Sequence, residues 1–433
     1  KIKIGISPYF VLNKSCEQIN NTEVRAMPYT TTNILSPNRE IYNYINDVNY
    51  GMSKPQLNHL SNLMQGLIAV HGNKSISSIA KSILSSTDRS CIYKFLSKSQ
   101  WDDVLLNRNR IAYLNLFLER HIKPKSVGFL VIDDTINPKP AAKKMQGLNY
   151  HFSHAEGKNV WSHCVVTSNF VAGDTSIPID YKPYYRKEQC KDINKQFKSK
   201  MQLAKELVNA FEKPSNCEKV YVLTDSWYTN NTLINESLNK GYHLIGAVKS
   251  NRKIAPKGVK LQLSQFEKYI NPDALDVVTV KGKDYKVYTY EGSIAKFENA
   301  IVLICYEVEG DNLKTPVYLM STDIELDAKT IIEYYQNRWS IETNYKYLKS
   351  NLGFDKYRVR SILSIERYFL IVFLAINFLE IFRVSQKTLM LKTVGEAIGY
   401  QNSLTAKELI QFVYYKAQEN VPLDEVYKYL KVA

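Results

Sequence analysis

The sequence predicts an α/β protein: a central sheet carrying an all-β insertion, flanked by helical amino- and carboxy-terminal regions. Three observations predict this. Apolar residues recur at helical spacing from Lys54 to His121. After Pro124 they give way to short apolar runs separated in part by helical segments. From about Asn251 to Thr322 strand-like runs follow one another with no helix between them.

The elements follow in order. Residues 1–52 read as a poorly defined extension, because Asn20 to Asn49 is polar and rich in Asn and Thr, and Met52 is a candidate for the functional start. Residues 53–124 form a helical domain, with Leu57, Leu60, Met64, Leu67 and Ile68 on one stripe and Val104, Leu105, Ile111, Leu114, Phe117 and Leu118 on another. Within it, Ile76 to Leu84, a Ser-Ser-Thr-Asp break and Arg89 to Leu96 have the outline of a helix-turn-helix, with ordinary helical packing as the other reading. Residues 125–250 hold the strands Val127 to Ile132, Val160 to Val166, Val220 to Leu223 and Tyr242 to Val248, with helices at Ile193 to Phe211 and Asn230 to Asn239. The insertion, 251–325, has strands at Asp276 to Val280, Tyr285 to Tyr290, Ala300 to Val308 and Thr315 to Met320, with a turn at Glu309 to Asn312. Helical periodicity returns over 326–361 and continues with breaks through 362–433.

Composition limits the function. The chain has 433 residues, enough for roughly two to four domains. With 45% hydrophobic residues and only 17 Gly and 14 Pro, a collagen-like or disordered chain is excluded. The 57 Lys and Arg against 42 Asp and Glu leave +15, which favours a polyanion, nucleic acid first. The six cysteines are far apart and form no Cys-x-x-Cys pair, so neither a zinc ribbon nor a disulfide framework is expected, and a cytoplasmic setting fits. The apolar run Tyr368 to Ile376 meets Asn377 and Glu380 before the ~20 residues a bilayer needs, so it reads as a buried helix and no membrane partner is expected. Ile6 to Leu12 is too short for a signal peptide.

Chemistry concentrates in acids. The strand Val127-Gly-Phe-Leu-Val-Ile ends in Asp133 and Asp134, and Val220-Tyr-Val-Leu-Thr ends in Asp225. Strand ends in an open α/β sheet are common ligand sites, although either acid alone could be a turn or cap residue. Downstream, Tyr335, Arg338, Glu342 and Lys349 fall within a stripe roughly 60° wide on an ideal helix. As exposed ion pairs they would contribute only ~0.3 to 0.5 kcal/mol, but Trp339, Ile341, Tyr345 and Leu348 make that helix amphipathic and partly buried. If Asp134, Asp225 and Glu342 converge, two like charges ~4 Å apart at an effective dielectric of 20 repel by about 4 kcal/mol. Raised pKa values or divalent cations must relieve that repulsion. Hard oxygen ligands favour Mg²⁺ or Mn²⁺, and two such ions suit in-line displacement at phosphorus. Arg338 and Lys349 would then hold phosphate oxygens.

At these residues the sequence resembles the DDE transposases of bacterial insertion sequences, of the insertion sequence 4 type with a Tyr-x2-Arg-x3-Glu-x6-Lys signature. Tyr335, Arg338, Glu342 and Lys349 match that spacing, and the Asp-Asp-Thr and Thr-Asp strand ends and the β insertion come in the same order. The resemblance spans about Ser53 to Ser361. It implies an RNase H-like catalytic core built from 125–250 and the 326–361 helix. It also implies metal-dependent attack of water, then of a DNA 3′-hydroxyl, at transposon ends and target DNA. Asp134, Asp225 and Glu342 would be the catalytic, metal-binding triad holding two ions. Asp133 competes for the first place, and adjacency to Thr135 favours Asp134. Tyr335, Arg338 and Lys349 would grip DNA near the cleaved end, within a synaptic homodimer binding terminal inverted repeats. Trp339 could stack on a displaced base or be buried in the core.

Other segments fit a DNA path. Tyr181 to Lys200 holds seven Lys and Arg, Arg186 and Lys187 among them, against two acids and interleaved with Tyr181, Tyr184 and Tyr185; a solvated helix face is the plain alternative. Lys249, Arg252, Lys253, Lys257 and Lys260 follow the fourth core strand. His151, His154 and His163 lack a zinc-ligand pattern and read as loop or strand residues. Two other functions fit the same residues: a two-metal nuclease without strand transfer, and a non-catalytic DNA-binding descendant of a transposase.

Overall fold

The computed structural model describes residues 34–35, 38–49, 51–84, 88–153, 155–310 and 312–430. Cys16, His154 and most of the polar amino-terminal stretch lie outside the described residues.

Five helices come first: α1 (Arg39–Val48), α2 (Lys54–Ala69), α3 (Ile76–Ser82), α4 (Arg89–Ser97) and α5 (Asp103–His121). Polar side chains close their first turns, as Ser75 does for α3, Asp88 for α4 and Asp102 for α5. The expectation of an ill-defined extension ahead of Met52 is corrected for α1. Asn38 caps it, and Ile41, Tyr44, Ile45 and Val48 are buried. The apolar positions sit three to four apart, so even a polar-rich segment presents one apolar stripe to the core. The two short helices α3 and α4 are both present and in contact, while residues 85–87 between them lie outside the described residues.

The sheet starts with β1 (Ser126–Pro138), β2 (Asn149–Ser153), β3 (Lys158–Ala172) and β4 (Thr175–Tyr184). After α6 (Lys200–Ala210) come β5 (Cys217–Thr224), α7 (Asn231–Asn239) and β6 (His243–Ala247). β1 pairs antiparallel with β3 and parallel with β5, and β5 pairs parallel with β6. Across β4, β3, β1, β5 and β6 this is the RNase H-like core. β2 and β4 were missed in the sequence because their apolar residues are diluted by Tyr, His, Pro and Lys. The helix expected from Ile193 begins only at Lys200, where Ser199 accepts the amide of Gln202.

The insertion consists of β7 (Lys253–Ile254), β8 (Leu261–Gln262), a one-turn helix α8 (Leu263–Phe266), β9 (Asp276–Val280), β10 (Lys283–Ile294), β11 (Phe297–Glu309), β12 (Asn312–Leu313) and β13 (Val317–Ser321). It is not a separate layer. β13 pairs with β6 through Leu319, Met320 and Ser321, so the inserted strands extend the core sheet. Gly310, at φ +59°, turns the chain where Glu309 pairs with Asn312.

The chain then forms α9 (Ala328–Gln336), a 3₁₀ turn at Asn337–Trp339, α10 (Ser340–Lys346) and a π-helical turn at Tyr347–Asn351. α11 (Ile362–Ser385), α12 (Val394–Gln418) and α13 (Leu423–Leu430) complete it. α11 is long and apolar enough to cross a membrane, but 89% of its apolar window is buried inside the protein. It packs on α2, α5 and β4, where the fully buried Arg110 of α5 donates to the Asn377 side chain at 2.6 Å and the Ile179 carbonyl at 2.8 Å. The amino-terminal helices are thereby joined to the carboxy-terminal region.

Candidate active site

β1 and β5 lie side by side with register Phe129↔Tyr221 through Ile132↔Thr224. The next residues are aspartates: Asp133, from which β1 runs on to Pro138, and Asp225, just past the end of β5. The strand expected to end at the first acids is thus corrected to one that continues through them, held by its pairing with β3. Because side chains alternate across a strand, Phe129, Val131 and Asp133 share a face with Tyr221, Leu223 and Asp225. The apolar members of that face pack against Ile331, Ile332, Tyr334 and Ile341 of α9 and α10. Burial of Ile341 lays α10 on the sheet and brings Glu342 to the same end.

Arg338 joins the acids. Its Nη2 donates to Glu342 Oε1 at 2.7 Å, and its Nη1 lies 3.5 Å from Asp133 Oδ2. Asp225 Oδ1 accepts the backbone amides of Trp227 and Tyr228, both at 3.0 Å, which fixes that carboxylate in an Asx turn. Burial, and then the neighbouring Asp225 charge, push the Asp133 carboxyl up to about 7, against the pull of the Asp134 amide and Arg338. Tyr335 lines the same pocket, its ring 6.0 Å from the Arg338 guanidinium carbon, and burial pushes its hydroxyl up to about 12.

The preference for Asp134 is corrected. Asp134 points to the opposite face, where Lys200 Nζ lies 2.7 Å from Oδ2, the Cys164 thiol donates to Oδ2 at 3.2 Å, and the Tyr228 hydroxyl donates to Oδ1 at 2.7 Å. Strand alternation is the reason: adjacent residues cannot serve the same face. Tyr228 links β1 to the end of β5, its amide on Asp225 and its phenol on Asp134.

The other predicted residues divide. Trp339 is 63% exposed beside Arg338, so core burial is excluded for it. Lys349 instead donates to the Ile136 carbonyl at 2.8 Å, and burial lowers its pKa. It sits in the π-helical turn, off the ideal stripe, and ties the helix to β1. In Tyr181 to Lys200, Lys182, Lys195, Lys198 and Lys200 are paired to Asp180, Glu366, Glu206 and Asp134. Tyr181 packs on Phe373, and Tyr185 is buried with its hydroxyl on Glu366, so this segment is mainly structural. Arg186 and Lys187 stay exposed, Arg186 holding the Tyr150 carbonyl at 2.7 Å. His151 and His163 are buried strand residues, each pushed down to about 4, chiefly by burial.

Arg252 and Lys253 line a groove of about 870 Å³ with Lys249, Lys260 and Lys296, beside Asn230. Arg252 donates to the Thr229 carbonyl at 3.1 Å, and the Thr229 amide donates to the Asp225 carbonyl at 3.0 Å, so the groove adjoins the acids.

Among the described residues no group of three or more His, Cys, Asp or Glu is preassembled for a metal ion. The donors nonetheless suit one. Asp133 and Asp225 are carboxylate neighbours whose mutual repulsion a hard divalent cation relieves, and the Arg338 guanidinium stands between Asp133 and Glu342.

Residues 51–266 match the family model described as DDE superfamily endonuclease. That match, on an RNase H-like fold with Asp133 in β1 beside Asp225 after β5, supports a DNA-cleaving enzyme of the DDE nuclease and transposase type. Comparison with curated proteins finds no match. Among solved structures the chain is similar to a Ciona intestinalis endonuclease V variant in complex with a 23mer DNA containing an inosine followed by a ribo-adenosine. The identity is 12% over 62% of this chain and 95% of that one, at a TM-score of 0.22, a likeness too slight to bear on substrate.

Proposed function

We propose that this chain is a DDE transposase of the insertion sequence 4 type, cutting DNA at transposon ends and joining the 3′ ends to a target. The observation that supports it most is the placement of Asp133, inside β1, beside Asp225, just past the end of β5, on one face of the sheet, with Arg338 between Asp133 and Glu342. The triad in this reading is Asp133, Asp225 and Glu342. Those carboxylates would hold two Mg²⁺ or Mn²⁺ ions, which when bound supply charge neutralisation at the attacking and departing oxygens of an in-line displacement.

The chain's own residues do the rest. Asp225 is held by two amides and needs no reorganisation. Arg338, which lies between Asp133 and Glu342, would be able to fork onto a phosphate if bound cations took over the neutralisation of those acids. Trp339, exposed next to it, offers a face on which an unpaired base can stack. The lysines of the β6-side groove neutralise backbone phosphates, and the exposed Arg186 and Lys187, beside β2, offer further phosphate contacts.

The nuclease reading draws on the word endonuclease in the matched family description. One assay separates the two: a duplex ending in the repeat that flanks the gene, incubated with Mg²⁺ and a target plasmid. Transposition gives joined products; cleavage without any joining assigns the chain to hydrolysis alone.

A further inference from the structure

A second cationic groove, of about 710 Å³, opens where β1 runs on past the acids. One wall is the loop after Pro138, carrying Lys143 and Lys144; the other is the extended segment 356–360. Along that segment Lys356, Arg358 and Arg360 are exposed while Tyr357 and Val359 are buried. The period of two puts three cations on one side, roughly 7 Å apart. Lys139 forms the floor, donating to the Asp355 and Tyr357 carbonyls at 2.6 and 2.7 Å, with Nζ 3.7 Å from the Tyr357 ring centroid. It thereby ties the two walls together.

These charges lack partners. Among the described residues Lys143, Lys144, Arg358 and Arg360 make no salt bridge, and Lys356 pairs only with Asp355, the one acid lining the groove. Burial pushes the Lys139 ammonium down to about 8, with Lys356 and Arg358 adding to the fall and Asp355 opposing it. A held set of uncompensated cations in a groove suits a polyanion laid along it, and the even spacing suits a regular one.

We infer that this groove binds the phosphodiester backbone of DNA, separately from the β6-side groove, so that the substrate is held on both sides of the acids. The inference rests on the proposed function for the identity of the polyanion. From Asp133 to Pro138 the strand advances roughly 16 Å, so the groove begins well clear of the acids.

The test is the triple variant Lys143→Ala, Arg358→Ala, Arg360→Ala, whose exposed side chains contribute little to the core; circular dichroism and thermal unfolding check that it folds. Binding to a fluorescent duplex of about 30 base pairs is read by anisotropy in EDTA, from about 50 to 200 mM salt. Three lost phosphate contacts lower the slope of log affinity against log salt by about 2 to 3 and weaken binding at least about tenfold near 150 mM. A folded triple variant with parental affinity and slope overturns the groove. If the groove variant loses DNA but the parent never cleaves with Mg²⁺, the proposed function fails and the groove stands. If the parent cleaves and the variant binds as the parent does, the groove alone fails.

Discussion

Asp133 and Asp134 are chain neighbours with opposite surroundings. Asp133 faces another carboxylate and one guanidinium shared with Glu342, and burial with the Asp225 charge holds its proton to about 7. Asp134 has a lysine, a tyrosine hydroxyl and a thiol around it, a satisfied polar cluster on the reverse of the same strand. One side is left short of positive charge and the other is neutralised. The contrast shows how a two-residue acidic run divides between two faces: in the proposed function one acid is left for cations and substrate, while its neighbour braces β1 through Tyr228, which also holds Asp225.

The largest expected effect is on the open side. Asp133→Asn or Asp225→Asn should lower Mg²⁺-dependent cleavage by on the order of 10³-fold or more, with DNA affinity within about threefold of the parent, because in the proposed function the acids hold cations and the grooves hold DNA. An active Asp133→Asn enzyme beside an inert, well-folded Asp134→Asn enzyme would reverse the assignment of the two faces. Next comes Arg338→Ala, expected to cost roughly 10² in cleavage rate, with Arg338→Lys recovering only part, since a point charge cannot fork. Equal rates for Ala and the parent would reduce Arg338 to a structural counter-charge.

On the braced side the expected losses are of stability. Asp134→Asn leaves the largely buried Lys200 ammonium without its partner and should cost about 1 to 3 kcal/mol in denaturant unfolding, with cleavage falling far less than in Asp133→Asn. The smallest effect belongs to Tyr228→Phe, which loses one hydrogen bond, about 0.5 to 1.5 kcal/mol, while keeping the amide that holds Asp225. A larger loss of rate than of stability in Tyr228→Phe would show that the brace sets the geometry of the acids themselves.

Much of the plan was legible. The strand at Val127 to Ile132 is apolar on both faces because both are covered, and such runs survive in a sequence as blocks without alternation. Tyr335, Arg338 and Glu342 were found by helical spacing and do meet at one place. Lys349 was not readable in the same way, since a 3₁₀ and a π-helical turn break the ideal stripe and send it to the β1 carbonyl. The basic stretch 181–200 misled because charge count ignores partners: its acids, Asp180, Glu206, Glu366 and Asp134, are supplied from elsewhere. The groove at 356–360 had a signal that went unused, cations alternating with Tyr357 and Val359.

By itself the sequence determined local periodicity: where most of the long apolar strands and helices lie, that acids follow two of the apolar runs, and that the chain carries excess positive charge. Only the tertiary structure decided which of Asp133 and Asp134 faces Asp225, that the insertion extends the core sheet through β13 and β6, and which cations remain unpaired among the described residues. The reason is physical. Period and composition are properties of neighbours along the chain, whereas strand register, the face a side chain takes and the partner of a charge are set by residues brought together from far apart in it.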